Sequence, residues 1–271
     1  MITSGLGPYD YLRMLKYIKK LEQDFPFISA KSIGKSVLGK DITALSIGSA
    51  EEYVLFVGGI HGSEHYSCGF LLNFFHDLCR AVADNKSIEG LNARRALKGR
   101  ALMVIPSLNP DGCEIASKGK VACGNREQSI SQLAQGRYKT YDFNARGVDI
   151  DLDFAAPHPS EPETSAAISF LKNVPIRHLL LLGIGNGRLA SAQNEKLPAR
   201  ADRMLEIMAA SSKLEPTANG DELCGSLVKW FCDSRLNPSF RALPEIKDFS
   251  PEGTIRAYKE IRELLMLTSI M

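Results

Sequence analysis

Apolar residues along this chain follow two periods, and the exchange between them outlines the fold. Val54-Leu55-Phe56-Val57 is an unbroken apolar run rich in β-branched and aromatic side chains, the pattern of a buried strand. Gly58 and Gly59 let the backbone turn without a Cβ penalty, and His61-Gly62-Ser63-Glu64 follows. Phe70, Leu71, Phe74, Phe75 and Leu78 then recur at the three-and-four spacing of one helix face. Ala101 to Ile105 and Ile176 to Leu182 read as two further buried strands, the first delivering Asn109-Pro110-Asp111-Gly112. Leu12, Met14, Leu15, Ile18 and Leu21 predict an early helix, and Ile255 to Met266 a closing one. Residues 30–33 and 41–47 flank Ser36 to Lys40 as a hairpin. Pro162-Glu163-Thr164 starts a helix, with proline and an acid suited to its N-terminus. Strands alternating with helices predict an α/β fold: a mixed sheet with helices on both faces.

Three stretches are less definite. Residues 84–98 carry mixed charges and read as solvated helix and loop, and 227–232 fits strand or helix. Cys113 to Phe143 is polar, aperiodic and long for a structureless connection, so it is a functional loop or holds short elements. No Pro/Gly/Ser-rich linker or repeat divides the 271 residues, so a single domain over 1–271 is expected.

Composition narrows the function. A net charge of +2 with scattered basic residues gives no nucleic-acid surface. No apolar run is long enough to span a membrane. Residues 1–8 show neither the basic region nor the apolar core of a signal peptide, which makes cytoplasm the expected location. The 6 cysteines form no C-x-x-C pair and are expected to be reduced and mostly buried. Gly183-Ile184-Gly185-Asn186-Gly187 follows a strand but lacks the Lys-Ser/Thr of a phosphate loop and the dinucleotide spacing.

His61 and Glu64 are two of the usual zinc-binding groups, set in one tight turn at the C-terminal end of a strand. In that context the sequence resembles the zinc carboxypeptidases of the M14 class, whose first two zinc ligands lie in such an H-G-x-E turn. The resemblance continues through Asn109 to Gly112, Asn144 to Asp149, Ser160 to Thr164, and Trp230-Phe231 followed by Pro238-Ser239-Phe240. Ile33 to Ile42 is similar to the family's early hairpin. The resemblance implies the zinc-carboxypeptidase fold, a cleft for peptide ligands, and His61 and Glu64 as metal residues.

The same resemblance implies losses. The strand position expected to carry the third ligand, a histidine, falls on Leu182. The asparagine and arginine that grip a terminal carboxylate correspond to Asp151 and Leu152, and an acid there would repel a carboxylate. The general base falls on Leu243, with Glu245 two residues on as the candidate replacement. Arg126 and Arg137 are candidates for contacting substrate, from sequence distance alone. Zinc is therefore expected to bind weakly or not at all, since affinity comes from the full ligand set.

Three readings follow. The favoured one is a catalytically degenerate member that keeps the cleft and binds a peptide or peptide-like ligand. The alternative is an active metallopeptidase with a rearranged site, using Glu245 as base and His65, His158 or Asp151 as a non-standard ligand, acting on peptides or cell-wall stem peptides. The third is an inert partner subunit.

Overall fold

The computed structural model describes residues 7–197, 199–217 and 226–271. In chain order the elements are α1 (Tyr11–Asp24), β1 (Ile28–Lys35), β2 (Asp41–Gly48), β3 (Tyr53–Gly58), α2 (Tyr66–Ala83), β4 (Ser87–Ile88), β5 (Leu91–Asn92), α3 (Ala93–Ala96), β6 (Ala101–Ile105), α4 (Pro110–Lys118), α5 (Glu127–Ala134), α6 (Ile150–Asp153), α7 (Pro162–Asn173), β7 (Ile176–Leu182), β8 (Arg188–Ser191), α8 (Arg200–Ala210), β9 (Glu215–Thr217), α9 (Leu227–Arg235), β10 (Ser239–Leu243) and α10 (Pro251–Thr268). Among the described residues, an 8-stranded sheet has the order β1-β2-β6-β3-β7-β10-β8-β9. Its centre, β6-β3-β7-β10, is parallel. The β1–β2 hairpin and β8 are attached antiparallel.

Strand alternation sorts the core into two layers. Val54 and Phe56 of β3 and Leu180 and Leu182 of β7 pack with α1, α2, α8 and α10. Leu55, Val57, Leu179 and Leu181 point the other way and pack with α7 and α9. The continuous apolar runs are thus explained, because helices on both faces leave the central strands no solvated side. A third cluster holds Ile115, Ile130, Ala134 and Tyr141, so the aperiodic 113–143 stretch has a small core of its own, built with α4 and α5. Residues 227–232 are helical, and residues 84–98 contain the short β4–β5 hairpin and α3. Leu12, placed on the buried face of α1 from spacing, is 64% exposed; Tyr11 takes that role. The five described cysteines are free and buried, while Cys224 lies outside the described residues. No described helix is long and apolar enough to cross a membrane.

Candidate functional site

The site forms where β3, β7 and β10 end side by side. Gly58 of β3 pairs with Leu182 of β7, and Leu182 pairs with Ala242 of β10. Beyond β3 the chain turns sharply, and Gly62 is the residue that permits it. A Cβ there would lie 2.3 Å from the Tyr141 carbonyl oxygen and 2.5 Å from that of Gly112. Asn109 braces the turn from below: its Nδ2 donates to the carbonyls of Ile60 and Phe143, and its Oδ1 caps α4 by accepting from Gly112 N. Asp111 has no exposed surface and takes Lys40 Nζ at 2.9 Å and the Leu38 amide at 2.8 Å. Asn144 orders the next loop, accepting from the amides of Arg146 and Val148 and donating to Glu161 and Glu163.

These braces bring together His61, Glu64, Asp149 and Asp151. His61 Nδ1 lies 3.4 Å from Glu64 Oε1, and His61 Nε2 lies 3.4 Å from Asp149 Oδ1. Asp149 also caps α6, accepting from the amides of Asp151 and Leu152. Burial pushes the Asp149 pKa up, but His61 and the two amides outweigh it and hold the carboxyl below its ordinary range.

A residue not anticipated from the sequence stands at the centre. Arg241 of β10 is 12% exposed in its side chain. Its Nη1 donates to Asp151 Oδ2 at 3.0 Å, and its Nη2 to His61 Nδ1 at 3.1 Å and Glu64 Oε1 at 3.3 Å. Burial opposes a charge on His61, while Asp149, Glu64 and Asp151 draw its pKa upward, to about 10. Arg241 meets that pull, because a guanidinium only donates and its N–H occupies the nitrogen a second ring proton needs. Arg241 was signalled in the sequence by a lone charge in the apolar run Phe240-Arg241-Ala242-Leu243. Period two puts it on the same face as Leu243.

The geometry places the other candidate residues as follows. Asp151 does not offer a bare carboxylate to a ligand: it is 4% exposed, takes the Leu227 amide at 2.7 Å and is bridged by Arg241. Burial raises its pKa, against the pull of Arg241 and His61. Leu182 shares the right end of the sheet but points into the core beside Phe56 and Phe240. The strand position aimed at the site is Gly183, where a Cβ would lie 2.8 Å from both Glu64 carboxylate oxygens. Glu245 is half exposed and pairs with Lys247 at 3.5 Å. It lines a surface cavity with Lys213, Asp248 and Arg256, and no hydrogen bond or ion pair among the described residues joins it to His61 or Glu64. Among the described residues no hydrogen bond or ion pair joins Arg126 or Arg137 to His61, Glu64 or Asp151: Arg126 ends a short turn ahead of α5, and Arg137 reaches Gln135. His65 turns into a cavity lined by Tyr9, Met14 and Cys68, and His158 is exposed.

The donor set does not fit zinc. His61 and Glu64 have a suitable spacing, since donors about 2.1 Å from a tetrahedral ion stand about 3.4 Å apart. However, the third position is a glycine, and the one lone pair of His61 Nδ1 is taken by Arg241. Among the described residues no group of three or more His, Cys, Asp or Glu side chains is placed to hold a metal.

The model of the zinc carboxypeptidase family, peptidase M14, matches residues 14–183, and the chain belongs to that family. Gamma-D-glutamyl-L-diamino acid endopeptidase 1 of Lysinibacillus sphaericus is 24% identical over 265 residues, covering 88% of this chain and 66% of that protein. The uncharacterized protein YqgT of Bacillus subtilis is 30% identical over 150 residues, 54% of this chain and 40% of that one. The chain thus spans under two thirds of both relatives. Among solved structures, thrombin activatable fibrinolysis inhibitor superposes with a TM-score of 0.77 at 15% identity, covering 100% of this chain and 75% of that one. A metallo-carboxypeptidase from Burkholderia cenocepacia gives 0.67 at 16% identity, covering 96% and 69%. The fold is that of the carboxypeptidases, whose family uses zinc.

Proposed function

We propose that this chain is a non-catalytic member of the family that keeps the cleft and holds a peptide or peptide-like ligand in it. The observation that carries the reading is the wall where a general base would stand. Leu243 occupies that position, and its side chain lies against Gly183, beside the Glu64 carboxylate. Hydrocarbon there cannot accept a proton from water, and positioned acid–base groups are worth about 10²–10⁴-fold in rate. Leu152, 60% exposed beside Asp151, replaces a charged grip with an apolar contact. The ligand is then held by shape and apolar surface, with no demand for a free terminal carboxylate. A peptide class is supported by two relatives: one is named as a peptidase of gamma-D-glutamyl linkages, and the bovine fibrinolysis inhibitor is solved with a carboxypeptidase inhibitor.

The test is incubation of the purified chain, with and without added zinc, with peptides bearing free or amidated C-termini and with cell-wall stem peptides. Turnover is measured beside binding by calorimetry. Binding without cleavage, alike for acid and amide, is the expected result. Chelator-sensitive cleavage that Glu245→Gln abolishes would overturn it in favour of an active peptidase with a rearranged site.

A further inference from the structure

We infer that Arg241 is a resident cation standing in the electrostatic place of the family's metal, so that the His61–Glu64 pair is held by the chain's own guanidinium and the site is independent of zinc. This goes beyond the proposed function, since it holds whether or not a ligand enters the cleft. Arg241 Nη2, His61 Nδ1 and Glu64 Oε1 form a nearly equilateral triangle with sides of 3.1, 3.3 and 3.4 Å. Those two atoms are the ones a metal would need, and the nitrogen has one lone pair to give. Glu64, Asp149 and Asp151 crowd around His61, and such carboxylates need a paired positive charge when buried. The second guanidinium arm meets that need at Asp151, which itself stands where the family resemblance places a neutral asparagine. Acid and arginine thus form one unit joining α6 to β10, and Gly183 offers no further donor.

The experiment follows thermal unfolding and metal content of the full chain. The parent should keep under about a tenth of a zinc per chain through dialysis, and its Tm should move by less than about 1 °C with a chelator or with zinc. Arg241→Ala leaves buried carboxylates unpaired and should lower Tm by about 10 °C. Zinc at about 0.1 mM should restore part of that loss, and the restoration should vanish in the Arg241→Ala/His61→Ala double variant. Arg241→Lys keeps the charge without the fork, should lie between parent and Ala variant, and should ignore zinc; it reads out the inference even if the Ala variant does not fold. The inference is overturned if the parent binds about one zinc per chain in a His61-dependent way. It is equally overturned if the Ala variant matches the parent in Tm, or if the Lys variant is stabilised by zinc.

Discussion

The two halves of the site are built differently. On one side stand the β3–α2 turn and the loops from Asn109 to Asp149; on the other, the ends of β7 and β10. The first half keeps its family residues, and nearly all of them hold backbone. Asn109 bridges Ile60 and Phe143, Asp111 holds the Leu38 amide, and Asn144 closes its loop on Val148. Removing any of these would strand buried polar groups, at about 1–3 kcal/mol each. The second half consists of side chains hung from strands whose backbone pairing does not depend on them. The side chains of Arg241 and Leu243, and the absence of one at Gly183, therefore place no demand on the backbone pairing of the sheet. The family match ends at residue 183, where this second half begins. A motif kept because it builds the scaffold says little about chemistry, and here the departures are more informative than the matches.

Gly62→Ala should break the first half. Its Cβ would meet two backbone carbonyls at 2.3 and 2.5 Å, which cannot retreat without moving the turn. A loss of about 3 kcal/mol or more is expected in urea unfolding, and a variant as stable as the parent would show that the turn is not rigid.

A probe beneath both halves comes next. His178 in β7 has no exposed surface, and its Nε2 donates to the Thr268 carbonyl at 2.9 Å, tying the central strand to the last turn of α10. Burial pushes its pKa down to about 4. Between pH 4 and 6.5 the unfolded chain takes up the proton that the folded chain refuses. Stability from this group is therefore complete above the unfolded value of about 6.5 and is lost as pH falls toward 4, by about 3 kcal/mol in all. Subtracting the pH profile of His178→Gln from that of the parent isolates the effect, and parallel profiles would refute it.

The smallest effect is expected in the second half. Gly183→Ala also introduces a close Cβ, at 2.6 Å from Leu243 Cδ2 and 2.8 Å from the Glu64 oxygens. Both are ends of flexible side chains, so the cost should be about 1 kcal/mol. If Gly183→Ala costs as much as Gly62→Ala, the contrast between a backbone half and a side-chain half fails.

The long apolar runs made β3, β6 and β7 legible, and the turn of His61 and Glu64 was legible from the glycines around it. The short elements β8 and β9 are not legible, because three or four residues carry too little periodicity to stand out. The ligand position shifted from Leu182 to Gly183 because counting a motif along a strand tolerates no slip. One residue exchanges the core face for the cleft face. Glu245, a candidate base whose commoner reading is a surface carboxylate, follows Pro244 past the end of β10 and stands half exposed beside Lys247. The signal for Arg241 is a charge inside an apolar strand, which a buried ionic partner explains and no family motif marks.

The strand order also governs when the site can exist during folding. His61 and Arg241 are 180 residues apart in sequence yet touch, and Asp151 meets Arg241 across 90. Neighbours β3 and β7 are themselves joined across a separation of more than a hundred residues, with β6 and its helices between them in the chain. Contacts of that span form slowly, because loop closure must precede any gain from pairing. The local β1–β2 hairpin and α2 can form early, whereas the contacts of Arg241 await the docking of β10, the last strand in the chain. Until then the three carboxylates repel one another with no cation among them. The guanidinium thus acts as a latch on a completed sheet, since its contacts with His61 and Asp151 exist only once β10 lies beside β7.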